Sequence, residues 1–186
     1  MQDIELEQAI EVLLAHTTPV TETERVPLLD ALGRVAAEDV YAAFDNPPFD
    51  RSPLDGYTFA AASTADASAE RPVRLTVVGE ECAGDFFAGA VGAGACVRIM
   101  TGGAIPAGCD CVVRQEDVRE EGDAIFVPFT SQPFENYCYA GEDIKKDTLL
   151  LAKGQRIRAS QIAVLASEGH ADVCVHRRVR IAVAST

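Results

Sequence analysis

Pro47-Pro48-Phe49-Asp50-Arg51-Ser52-Pro53-Leu54-Asp55-Gly56-Tyr57 is the stretch on which the reading of this chain turns. Three prolines within seven residues remove three backbone donors and bar a regular helix. Asp55-Gly56 is a turn dipeptide. Asp50 and Asp55 therefore sit on a stiff backbone, which fixes a polar group in space better than it builds a core. A second stretch reads as its companion: Arg98-Ile99-Met100-Thr101-Gly102-Gly103-Ala104-Ile105-Pro106. There an apolar strand runs into a Gly-rich turn with the Thr101 hydroxyl at its lip.

Working outward, the chain has 186 residues, enough for one domain or two small ones. A hydrophobic content of 48% supports a packed core. The net charge of -13 disfavours nucleic acid and anionic membrane as partners. No apolar run approaches the ~18 residues of a membrane span. The acidic start Met1-Gln2-Asp3-Ile4-Glu5 lacks the basic region of a signal peptide. Cysteines 82, 96, 109, 111, 138 and 174 form no CxxC pair, so zinc spacing is absent and reduced thiols are expected. Those two features point to the cytoplasm.

Ile4, Leu6, Ala9, Ile10, Leu13 and Leu14 recur at helical spacing, predicting a helix over about 3–16 capped by Asp3. Strands are expected over 22–28 and 34–41, around a single turn stopped by Gly33. Short β-like runs follow at 73–78, 95–100, 111–115 and 124–129, the last behind a Glu121-Gly122-Asp123 hairpin signal. Five glycines between 79 and 94 call for repeated turning. Another strand is expected near 148–151. A short helix capped by Ser160 should run to Glu168, with Gly169 as its stop, then a strand over 171–175. Ile181-Ala182-Val183-Ala184 reads as a buried parallel strand. The fold class is mainly β with a few short helices (α+β).

In combination these motifs resemble the MoeA family of molybdopterin molybdenumtransferases, gephyrin-like relatives included. The resemblance rests on Pro-Phe-Asp-x-Ser-x-x-Asp-Gly-Tyr at 48–57 and Arg-Ile-Met-Thr-Gly at 98–102. It continues through 108–117, Gly141-Glu142-Asp143-Ile144, 165–169 and 178–183. It implies the N-terminal half of such a protein, with an N-terminal helix at 1–19. Subdomain I would combine 20–44 with 140–178, and a β-rich subdomain II would span 45–139. Residues 179–186 would open an α/β domain that the chain does not contain.

The same resemblance implies function. Asp55 and Thr101 match catalytic positions in a cleft, and Ser52, Gly102 and Gly103 match substrate-binding ones. The implied reaction inserts molybdate into adenylylated molybdopterin with release of AMP, supported by Mg²⁺. Implied partners are a second copy of the chain, a Mog-type molybdopterin adenylyltransferase and molybdenum-enzyme maturation proteins. A carboxylate and a hydroxyl suit such a substrate, since carboxylate and phosphate oxygens are hard Mg²⁺ ligands. Glycine amides can also approach an anion closely. Two plainer readings stand beside this one. Asp55 could stabilise its own turn, and Thr101 could end its strand. For the whole chain, a non-catalytic dimerisation or scaffold module is the alternative. Arg51, Pro53, Tyr137-Cys138-Tyr139 and Asp147 depart from the pattern, where Asn, a small residue, arginines and Gly are usual.

Overall fold

The computed structural model describes residues 4–82, 84 and 86–183. In chain order the elements are α1 (Leu6–Ala15), β1 (Thr23–Pro27), β2 (Val40–Tyr41), β3 (Gly56–Phe59), β4 (Val73–Glu81) and β5 (Ala95–Ile99). They continue with β6 (Cys111–Arg114), β7 (Arg119–Glu121), β8 (Ala124–Val127), β9 (Leu149–Leu151), α2 (Ala159–Ser167) and β10 (Asp172–His176). Strand outweighs helix, as the sequence predicts. The chain divides into two compact units, one formed by residues 1–41 with 149–186 and the other by 42–148. The seams suggested by the resemblance lie at 44/45 and 139/140. In the structure the stretch from Gly141 to Thr148 is hydrogen-bonded to the 42–47 segment, through Gly141 N–H to Pro47 O and Ile144 N–H to Asn46 O.

The discontinuous unit is held by antiparallel pairing of β1 with β10, from Thr23 opposite His176 to Pro27 opposite Asp172. A smaller ladder joins β2 and β9. Leu28, Ala31, Leu151, Ile157, Leu165, Val173 and Val175 form the core, with Leu165 as the buried residue of α2. The cap of helix α2 lies two residues before the expected Ser160. Arg158 is its N-cap, and Gln161 Oε1 accepts the Arg158 N–H at 3.1 Å. Gly33 adopts φ +76° after a 3-10 turn over Leu28–Ala31, as its stop position requires. Helix α1 buries none of its side chains, and Leu6, Leu13 and Leu14 are each 68% exposed. Asp3, its expected cap, lies outside the described residues. Residues 181–183 belong to no strand, and 184–186 lie outside the described residues.

The continuous unit is a six-stranded sheet in the order β6-β3-β5-β4-β8-β7. All neighbours are antiparallel except β4 and β5. A parallel pair demands a long return, and the Gly-rich stretch Cys82–Gly94 is that return. Gly122-Asp123 turns β7 into β8, with Glu121 opposite Ala124. Tyr57, Phe59, Leu75, Cys96, Cys111, Val113, Ile125 and Val127 fill the core on one side. Val97 and Ile99 are equally buried on the other, so the sheet centre is covered on both faces. Burial pushes the thiols of Cys96 and Cys111 up to about 12 and that of Cys109 to about 11. All six cysteines are free. Among the described residues no helix is long and apolar enough to cross a membrane.

Candidate functional site

The ends of three neighbouring strands build the site. Gly56, the first residue of β3, pairs with Ile99, the last of β5, and with Arg114, the last of β6. Antiparallel register therefore sets Asp55 beside the turn that begins at Met100. Gly56 is required there: a Cβ would lie 1.9 Å from the Val113 carbonyl oxygen. From that position Asp55 Oδ1 accepts two hydrogen bonds, from the Thr101 N–H and from the Thr101 hydroxyl, both at 2.7 Å. Asp55 Oδ2 accepts none among the described residues, and both side chains are exposed. The Thr101 amide and hydroxyl, with Arg98 nearby, hold the Asp55 carboxyl below the ordinary carboxylate range. Its bonds reach 46 residues along the chain, so Asp55 tethers a distant loop rather than its own turn.

The two loops are zipped together. Ser52 N–H donates to Gly103 O at 2.9 Å, Gly102 N–H to Ser52 O at 2.8 Å, and Ile105 N–H to Asp50 O at 2.9 Å. On its other side the first loop pairs with Cys138, through Arg51 N–H to Cys138 O and the return bond. Asp50 is a brace: Oδ2 accepts the Tyr137 hydroxyl at 2.5 Å and Oδ1 the Ala140 N–H at 2.8 Å. Burial and the Asp50 carboxylate raise the Tyr137 hydroxyl pKa well above the ordinary tyrosine range. Tyr137, Tyr139 and Phe134 contact one another with ring centroids 5.0–5.6 Å apart, so the segment that departs from the family pattern at 137–139 packs aromatic rings together.

Three expectations change. Ser52 is 1% exposed, and its hydroxyl donates to Leu54 O and accepts the Leu54 N–H. It stiffens the loop from beneath. Gly102 and Gly103 were expected to offer their amides to an anion, but both N–H groups are already donated, to Ser52 O and Met100 O. What Gly102 offers is space: a Cβ there would meet nothing within 4 Å, at φ +86°. Gly103 is buried, and its Cβ would press on Ile99, Met100 O and Glu81 at 3.0–3.2 Å. Asp55 and Thr101 do come together as expected.

Sequence reasoning passed over Cys138, which pairs with the loop, and Glu81. Glu81 is 1% exposed, accepts the Phe87 N–H, and stands behind Gly103. The alternation Tyr137-x-Tyr139 was the strand signal available for Cys138. Glu81 carries no sequence signal, because a carboxylate at a strand end ordinarily faces water. Among the described residues no group of three or more His, Cys, Asp or Glu side chains converges on a metal position.

Comparison with known proteins agrees with this layout. The family described as MoeA N-terminal region (domain I and II) matches residues 4–169. The molybdopterin molybdenumtransferase of Bacillus subtilis is 40% identical over 93% of this chain, which spans 41% of that protein. The Synechococcus elongatus protein of the same name is 38% identical over 96% of the chain and 45% of its own length. The crystal structure of the molybdopterin biosynthesis moeA protein from Pyrococcus horikoshii OT3 superposes with a TM-score of 0.85. It is 40% identical over 91% of this chain and 45% of that one. The chain thus spans under half the length of these relatives, and it belongs to the MoeA N-terminal region family.

Proposed function

We propose that this chain supplies the Asp55–Thr101 face of a molybdopterin molybdenumtransferase site, where molybdate enters adenylylated molybdopterin and AMP leaves. The observation that carries the reading is the Asp55 carboxylate. One of its oxygens is fixed by two Thr101 donors, and the other faces solvent without a partner among the described residues. Preorganised charge at an exposed loop junction is what a charged substrate needs. Gly102 leaves room for close approach, while Ser52, Asp50 and Gly103 hold the loops in place.

Mg²⁺ fits this donor set in the way it usually binds, through one or two carboxylates plus substrate phosphates. Asp55 Oδ2 is the group that would hold it. When bound, the ion supplies neutralisation of the charge gathered between phosphate and molybdate oxygens. Asp55 and Thr101 bind and orient. In this reading the protein works in the cytoplasm as a homodimer, downstream of a Mog-type adenylyltransferase and upstream of molybdenum-enzyme maturation proteins. A scaffold role is the second reading, favoured by the apolar side chains that α1 leaves exposed.

The test replaces the matching segment of the Bacillus subtilis relative with this chain and follows molybdate-dependent AMP release. Asp55→Asn should lower turnover about 10²–10³-fold. Thr101→Ala should cost less, because the Thr101 N–H still reaches Asp55. The 186-residue chain by itself should release no AMP. An Asp55→Asn chimera that turns over like its parent would remove Asp55 from the site and leave the scaffold reading.

A further inference from the structure

A chain of net charge -13 carries an unexpected concentration of cations in its discontinuous unit. Gly33, Arg34, Arg156, His176, Arg177 and Arg178 line a cavity of about 420 Å³. A second hollow of about 620 Å³ shares His176 and Arg177 and adds Lys153 together with apolar Pro19, Val20 and Ala37. Two of the four arginines are committed. Arg34, 9% exposed, donates to Glu24 at 2.5 Å and to His176 O at 2.8 Å. Arg177 donates twice to Glu22, at 3.1 and 2.8 Å. The guanidinium groups of Arg156 and Arg178 have no carboxylate within ion-pair distance among the described residues. Arg156 leans across the turn: its Nη2 lies 3.7 Å from where a Cβ of Gly33 would stand. His176 Nδ1, in the same wall, is buried and has no hydrogen-bond partner among the described residues.

Solvated surface arginines would be the ordinary meaning of such residues, each near a carboxylate or splayed into water. Here the arginines of three chain segments, at 34, 156 and 177–178, converge on one concavity, and Arg156 and Arg178 lack a counter-charge among the described residues. Guanidinium forks match tetrahedral oxyanions geometrically and bind them through charge-assisted bonds. We propose that this cavity binds the phosphoryl group of a small ligand, or a free tetrahedral oxyanion, with Arg156 and Arg178 as its direct contacts. Arg34 and Arg177, already paired, shape the wall behind them. The adjoining partly apolar hollow provides room for the body of a phosphate ester. This inference does not depend on the molybdenum reading, since the site lies in the other unit and is tested by binding alone.

The experiment is isothermal titration of the 186-residue chain, at low ionic strength, with inorganic phosphate, pyrophosphate and ribose 5-phosphate. The chain should bind at least one of them. Arg156→Gln and Arg178→Gln should each weaken binding about tenfold, the loss of one charge-assisted contact. Both side chains are exposed, so both variants should fold, and unchanged melting temperatures check that. Arg74→Gln, in the other unit and paired with Asp123, should bind like the parent. Tighter binding of ribose 5-phosphate than of inorganic phosphate assigns the site to an ester, and equal binding assigns it to the free anion. No binding of any probe would overturn the proposal, and so would equal losses in Arg74→Gln and the two cavity variants.

Discussion

Asp55 accepts two hydrogen bonds on one oxygen, and the resulting depressed pKa has a direction that can be read in stability. A carboxylate whose folded pKa lies below its unfolded value contributes stability above the unfolded pKa, about 3.9. That contribution is lost as pH falls through the folded value. Asp55→Asn carries no such titration. The melting-temperature gap between parent and variant should be widest near neutrality and should close as pH falls below about 4; a gap independent of pH would contradict the coupling to Thr101. Tyr137 tests the brace behind the loop. Its hydroxyl serves a half-buried Asp50, and Tyr137→Phe leaves that carboxylate with one donor fewer. A loss of about 1–2 kcal/mol in urea unfolding is expected, measured against the parent. Asp147, which stands where Gly is usual, sits at φ +67°, and this explains the preference.

At the scale of elements, glycine contacts and single core side chains decide. Gly56 cannot carry a Cβ while β3 pairs with β6, because Val113 O occupies that space. Gly56→Ala should therefore cost about 4 kcal/mol or more and lower the cooperativity of the sheet, seen by circular dichroism on heating. Leu165→Ala empties the buried position of α2 and should cost about 2–5 kcal/mol. Strands with a hydrophobic pattern and flanking glycines were legible in the sequence: β5, β6, β8 and the Gly122 hairpin lie within a residue or two of expectation. Asp55 and Thr101 were legible as a pair through the family motifs. Legibility failed where structure depends on distant partners. The run 34–41 read as one strand, yet only Val40–Tyr41 forms a ladder strand, while Val35 and Ala36 make isolated bridges to Arg156 and Val175. The run 181–183 has the apolar character of a buried strand but pairs with no strand among the described residues. The amides of Gly102 and Gly103 looked available because sequence cannot show that Ser52 O and Met100 O already receive them.

At the scale of the molecule, the 42–148 unit is an insertion into the other one. The chain crosses between them at two points, and Ala42 N–H donates to Thr148 O at 2.9 Å, so the inserted unit begins and ends side by side. Adjacent ends are what independent folding of an insert requires. Residues 42–148 expressed alone should give a β-rich protein with a single cooperative unfolding transition, checked by circular dichroism and calorimetry; an unfolded product would mean that the insert needs its host. The same topology sets a timetable for biosynthesis. Pro27 of β1 pairs with Asp172 of β10, 145 residues later. At about 5–20 residues per second, a ribosome leaves β1 waiting roughly 7–30 s for its partner, while the whole insert emerges in between. An unpaired strand is an invitation to other chains for all of that interval. The composition of β1, Thr-Glu-Arg-Val-Pro, answers the hazard: two opposite charges and a terminal proline make a poor template for intruders until β10 arrives.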